Sequence, residues 1–241
     1  MSLCGKIGLA AVALLSALSA STPAVYGAEP APVRLTVKTL SEGILYPVIE
    51  SGRVSPDVRE TIDRTFRHHA RRIAKLDRVY KKQYQQDQLI SAAGPYYAAT
   101  RPIVRYNRDS RLSVSFVDES YTGGAHGSHL ETVYNFDTRT GRRIRLGEVI
   151  RNVAARKKVD NYVKRRMSEL RSQGRYDFFI GAFRGIDSRN GMFYFQDRGI
   201  VLVFQEYEVA PYANGIIHLN VPRDVFCPKK NMRNLTKLSF S

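Results

Sequence analysis

His126 and His129 stand three residues apart in Ser120-Tyr121-Thr122-Gly123-Gly124-Ala125-His126-Gly127-Ser128-His129, where three glycines fall within five positions. Backbone this rich in glycine signals conformations that a Cβ disfavours, and imidazoles ligate metals and carry protons. Side chains three apart on a strand point to opposite faces, so only a bent loop could converge the pair, and a third ligand such as Glu131, Glu206 or His218 would have to join them. A second chemistry is offered by Glu206 and Glu208. Two positions apart, they share a face if a strand runs through them, and paired carboxylates are what glycoside hydrolysis uses. Together these residues outline one functional class: an enzyme modifying cell-wall glycan, a hydrolase or a deacetylase. Each also has a plainer role, His126 tying down its own loop and the glutamates standing on a solvated or ion-paired edge. No G-x-S-x-G elbow, phosphate-binding glycine loop or paired C-x-x-C accompanies them. The expectation is therefore a non-catalytic binding surface, with no metal and no cofactor, formed by Tyr121, Gly123, Gly124, His126, His129, Tyr207, Glu208 and Tyr212. Tyrosine is an effective contact residue for proteins and sugars.

The elements that must position these residues follow from hydrophobic periodicity. The glycine loop lies between two runs of strand character, Arg111 to Val117 and Leu130 to Asp137, and Thr100 to Tyr106 pairs with the first across a turn at Asn107 to Ser110. Upstream, Val33 to Leu40 alternates as a strand and Ile44 to Ile49 forms another, with Pro47 marking an edge or a bend. Ser55-Pro56-Asp57 combines a cap, a favoured first helical residue and an acid at the positive helix end. After it, Val58, Ile62, Phe66, His69, Ile73, Leu76, Tyr80 and Tyr84 form one stripe, which predicts a long helix ending before Gly94-Pro95. Thr138 to Gly141 reads as a turn into a strand at Arg142 to Leu146, closing a hairpin. A second helix spans about Glu148 to Gln173, broken near Asn152, with Gly174 as its stop. Strands at Met192 to Gln196, Ile200 to Gln205 and Ile216 to Val221 complete an α+β chain, a mostly antiparallel sheet carrying two long amphipathic helices.

Composition sets the compartment and the partners. Met1 to Gly27 has a single cation, Lys6, then an apolar run from Ile7 to about Ala20 and small residues at Val25 and Gly27, which predicts a signal peptide cut between Gly27 and Ala28. The run is too short to span a bilayer, and no stable anchor is expected after cleavage. The mature chain is expected in the periplasm or outside the cell as one α+β domain, 28–227, with an N-terminal half (28–98), a C-terminal half (99–227) and a basic tail (228–241). Loss of the leader removes Cys4 and leaves Cys227 without an internal partner. The chain of 241 residues carries a formal charge of +16 with 43% hydrophobic residues, enough apolar content for a packed core. In an exported protein that charge points away from nucleic acid and toward an anionic envelope polymer, lipid head groups or an acidic protein. The basic helix between Arg151 and Arg175 is part of it, with only Asp160 and Glu169 opposing its cations.

Three stretches in fixed order carry a family resemblance. They are Tyr121-Thr122-Gly123-Gly124-Ala125-His126-Gly127; Asn135-Phe136-Asp137 with Thr140-Gly141; and Tyr207-Glu208-Val209-Ala210-Pro211-Tyr212-Ala213-Asn214-Gly215 with Val221-Pro222. This pattern resembles the RsiV-type extracytoplasmic domain over about Thr39 to Phe226, and Tyr46-Pro47-Val48-Ile49 with the long first helix is similar to its N-terminal half. The best-understood member is the external part of a membrane-bound anti-sigma factor that senses lysozyme by binding it, and the domain is also similar to a region attached to peptidoglycan deacetylases. The resemblance implies a binding partner that is an envelope component or an envelope-active protein, lysozyme-type proteins included. It implies neither a sigma-factor role, for which a cytoplasmic region is expected, nor deacetylase chemistry, whose histidine pair is spaced one residue wider.

Overall fold

The computed structural model describes residues 32–87, 94–187 and 191–227. The expected signal peptide, the basic tail and the approach to Gly94 lie outside them. Strand β1 (Arg34–Ser41) and β2 (Ile44–Ser51) form a hairpin, followed by helix α1 (Pro56–Asp87) and by β3 (Tyr97–Arg108), β4 (Arg111–Tyr121) and β5 (Ser128–Asp137). These five strands make one sheet in sequence order, antiparallel except where β2 meets β3 at the single parallel pair Ile44↔Thr100. With so brief a ladder on that side, β2 tolerates Pro47 although it lies inside the sheet. Short helix α2 (Leu146–Val149) and helix α3 (Val153–Ser172) lead to a second, antiparallel sheet of β6 (Met192–Gln196), β7 (Gly199–Phe204) and β8 (Ile217–Pro222), closed by α4 (Arg223–Phe226). The fold is α+β.

Local chemistry explains the elements. Ser55 Oγ accepts the Val58 amide at 3.3 Å and starts α1. Asp109 and Ser110, both at positive φ (53° and 55°), make the two-residue turn from β3 to β4. On β4, Leu112, Val114 and Phe116 face α1 and pack with Val58, Ile62, Phe66 and Phe136, while Ser113 and Ser115 face the second sheet. α3 is capped by Asn152, whose side chain accepts the Ala155 amide at 2.8 Å. It lays Val159, Val163 and Met167 on Phe193, Ile200, Leu202 and Leu219.

Two expectations are corrected. Arg142 to Leu146 is no strand. One bridge, Phe136↔Arg143, is all that forms, because Glu148 accepts the Arg145 amide (2.7 Å) and draws the chain into the first turn of α2. Strand β7 stops at Phe204 rather than continuing through Gln205, so the face-sharing geometry assumed for Glu206 and Glu208 does not exist.

α1 also buries two acids that its apolar stripe concealed. Asp63 accepts the Ile49 amide (2.9 Å) and Asp77 accepts the Ala98 amide (3.1 Å), fastening the helix to β2 and β3. Burial pushes the Asp63 carboxyl above its ordinary range.

Candidate functional site: an aromatic surface over a polar seam

The two sheets meet through hydrogen bonds. Ser113 donates to Asn135 (2.6 Å), Asn135 donates to the Phe193 carbonyl (2.7 Å), and the Phe195 amide donates to Ser113 (3.2 Å). Further along β5 the Gln205 amide side chain acts as a one-residue strand: it accepts the Glu131 N–H and donates to the Glu131 carbonyl, both at 2.9 Å. Glu131 itself is 1% exposed. Its carboxylate accepts from Arg105 (2.9 Å), His218 (3.1 Å) and the Ser115 hydroxyl. Burial raises its pKa, but the hydrogen bonds from His218 and Ser115 and the charges of His218 and Arg105 together outweigh that and hold it below the usual carboxylate range. Tyr194 completes the cluster, its hydroxyl 3.2 Å from His218 Nδ1 and its ring beneath the Arg105 guanidinium.

Where the seam reaches the surface, the candidate residues assemble. Glu206 accepts both the backbone N–H (2.9 Å) and the ring Nδ1–H (2.8 Å) of His129. Glu208 accepts the Gln205 amide (2.7 Å), and the Glu208 amide donates to the Gln205 carbonyl (3.1 Å), closing a tight turn. Tyr207 sits in that turn at φ 63°, a left-handed conformation that bulky side chains avoid, with 58% of its surface exposed. Tyr212 follows in the 3-10 turn Tyr212–Asn214 and lies 5.9 Å from Tyr207, centroid to centroid. His126 stacks on the Tyr212 ring at 3.8 Å and 20°, while its Nδ1–H donates to the Gly127 carbonyl at 2.7 Å. The glycine loop and the Tyr207–Gly215 segment therefore form one continuous surface, with His126, Tyr212 and Tyr207 in line and His129 at its root.

Tyr121 stands apart from that line. It is the last residue of β4 and contacts Tyr96 and Tyr97 at 6.3 and 6.4 Å. The Tyr97 hydroxyl donates to Glu119 at 2.5 Å, a bond that raises its pKa. Of the loop glycines, Gly123 alone has positive φ (91°), and a Cβ there would lie 2.5 Å from the Tyr96 hydroxyl. Gly124 has neither constraint, so the glycine density overstates the strain of the loop. Replacing Gly123 by alanine should cost roughly 1–2 kcal/mol from the backbone conformation alone and displace Tyr96. Urea unfolding gives the first effect. Near-UV circular dichroism gives the second, since the chain has no tryptophan to mask its tyrosines.

Among the described residues no group of three or more His, Cys, Asp or Glu is placed to hold a metal ion. The ligands that would have had to converge are divided instead into two pairs, His129 with Glu206 and His218 with Glu131. Cys227 is a free, half-buried thiol after α4.

A helix-backed sheet of five strands joined through a polar seam to a helix-backed sheet of three is a bipartite domain, and both parts have known relatives. The family model described as "Deacetylase PdaC" matches residues 36–129, and that described as "Protein of unknown function (DUF3298)" matches residues 149–224. The two matched regions are the parts that make up the RsiV-type domain family. A crystal structure of a DUF3298-family member from Bacteroides fragilis NCTC 9343 shares the fold at 15% identity and a TM-score of 0.55, over 75% of this chain and 80% of that one. A DUF3298-family protein from Pseudomonas aeruginosa PAO1 aligns at 14% identity and a TM-score of 0.46, over 83% and 94% of the two chains. No curated protein matches the chain. Among the described residues no helix is long and apolar enough to cross a membrane.

Glycine density and tyrosine placement pointed to His126, His129, Tyr207 and Tyr212, which the structure brings together; Glu131 and His218 were named for a metal, and the seam that holds them was not foreseen. Arg105, Ser115 and Asn135 carry it; the signal for Arg105 and Ser115 is a polar residue on one face of a strand, and Asn135 stood out only within the Asn135-Phe136-Asp137 motif.

Proposed function

We propose that this protein is an exported, non-catalytic binding module that recognises a component of the cell envelope, or a protein acting on it, through the His126–Tyr212–Tyr207 surface. The observation that carries this reading is Tyr207. A turn with positive φ at that position is filled most cheaply by glycine, yet it holds a large exposed aromatic residue beside two stacked rings. Such strain, found together with exposure, is characteristic of contact residues.

The roles of the two glutamates agree with binding. Glu206 orients His129 and Glu208 closes the Tyr207 turn, so both carboxylates shape the surface rather than flank an open cleft. The formal charge of +16 favours an anionic wall polymer or an acidic protein. It disfavours encounter with lysozyme-type proteins that are themselves basic.

Tyr207→Gly gives a test in which stability and function should separate. The variant relieves the left-handed strain and should unfold at the same or slightly higher urea concentration, while recovering at least tenfold less partner from an envelope extract; Tyr212→Ala should lose as much. A wild-type protein that recovers nothing above background, or a Tyr207→Gly variant that recovers as much as wild type, removes this reading. Murein fragments released by the wild type and not by Glu206→Gln would replace it with catalysis on wall glycan.

A further inference from the structure

The segment after α3 carries an apolar feature that folding does not explain. Phe178 is buried in the second core, and the Phe179 amide donates to the Val209 carbonyl at 2.8 Å. The Ala182 amide then donates back to the Phe179 carbonyl (3.3 Å) across a tight turn, with Gly181 at φ 73°. Phe183 and Ile186 pack on the core beyond it. The turn is thus anchored on both sides. Its first corner, a place usually taken by polar residues or proline, holds Ile180, 85% exposed, beside Phe179 at 44%. An open depression of about 420 Å³ adjoins it, lined by Arg171, Asp177, Phe178, Phe179, Ile180 and Pro211. Arg171, Arg175 and Arg184 are exposed around the turn, and among the described residues none of the three has a carboxylate within ion-pairing distance. The exposed lysines of α3, Lys157, Lys158 and Lys164, extend the positive field away from it.

We propose that this turn docks the protein on an anionic lipid bilayer, with Phe179 and Ile180 entering the boundary between head groups and acyl chains and Arg171 and Arg175 meeting lipid phosphates. Charge selects this occupant. Two adjacent exposed apolar side chains flanked by unpaired arginines find both of their complements, acyl chains and phosphates, at a bilayer surface. Exposed arginines close in the chain to exposed apolar side chains are the combination that interfacial binding uses. The charge of the whole molecule is complementary to acidic lipid. The turn is bonded to Val209 of the tyrosine-bearing segment, but Phe179, Ile180, Arg171 and Arg175 are not among His126, Tyr207 and Tyr212, so substitutions at the two sets test the two roles separately.

The test is sedimentation of the protein lacking residues 1–27 with vesicles of phosphatidylcholine containing 30% phosphatidylglycerol, at 0.1 M salt, against vesicles of phosphatidylcholine alone. Wild type should partition strongly to the mixed vesicles and weakly to the neutral ones. Phe179→Ser/Ile180→Ser should partition at least about tenfold less, from the apolar area no longer inserted. Arg171→Gln/Arg175→Gln should also lose about tenfold, and that contribution should shrink as salt rises. All four positions are exposed, and unchanged thermal unfolding of each variant shows that the fold is intact. No binding to mixed vesicles, equal binding to both vesicle types, or a Phe179→Ser/Ile180→Ser variant that binds like wild type would each overturn the proposal, the last by reducing it to adhesion through charge alone.

Discussion

Glu131→Ala is expected to destabilise the protein by about 3 kcal/mol, the lower end of the 3–5 kcal/mol that follows removal of one partner from a buried ion pair. The carboxylate is 1% exposed, and its loss leaves Arg105 and His218 without their acceptor inside the seam. The loss stays at the low end because both partners keep some contact with water. The pH dependence gives a second readout. The folded-state pKa of Glu131 lies below the ordinary value of about 4.3. Its contribution is therefore complete above the unfolded-state pKa and is lost as pH falls through the folded one. Urea midpoints measured from pH 7 to pH 3 should fall in wild type and fall less steeply in Glu131→Gln, which keeps the shape of the side chain and cannot titrate. Parallel curves for the two proteins would mean that this carboxylate does not govern the acid limb.

Phe66→Ala should cost about 3–5 kcal/mol, the largest single loss expected in the apolar core. The ring is fully buried and lies 5.7 Å from Phe116, 5.7 Å from Phe136 and 6.2 Å from Tyr134. It joins α1 to β4 and β5, and the neighbours it leaves behind are rigid aromatics that cannot collapse into the gap. Phe66→Leu should lose less, since much of the volume remains. Both are read from urea unfolding. Neither variant should change ligand recovery per folded molecule, because Phe66 lies on the face of the sheet opposite the seam.

The difference between these two sites marks how far the sequence could be read. α1 was legible from one stripe, Val58 through Tyr80, because a helix writes its buried face at steps of three and four within a few turns. Its cap, Ser55-Pro56-Asp57, was equally local. Asp63 and Asp77 belong to the same face, and their polarity hid the fact that each receives a strand amide from elsewhere. The hairpin expected at Arg142 to Leu146 failed for another reason: the reach of Glu148 back to the Arg145 amide competes with strand pairing, and the pattern of apolar residues is silent on it. The tyrosine surface was legible as a set of residues and not as an arrangement, since His126 meets Tyr212 across 86 positions in the chain. The partners of Glu131, at Arg105 on one side and His218 on the other, were beyond any local pattern. Pairing of that kind is decided by how the second sheet lands on the first.

That landing decides how the two lobes stay together. Besides Tyr106 against Phe195, the contact between the sheets buries Val133 between Glu131 and Asn135, and Val201 and Val203 on the same face as His218, so it is part apolar and part polar. A lobe freed from its companion would expose those valines together with serine, asparagine, glutamate and histidine, and would lose partners for both kinds of group at once. The two sheets are thereby joined like a keyed fitting: apolar contact supplies adhesion, and the buried polar groups fix the one angle at which it can form.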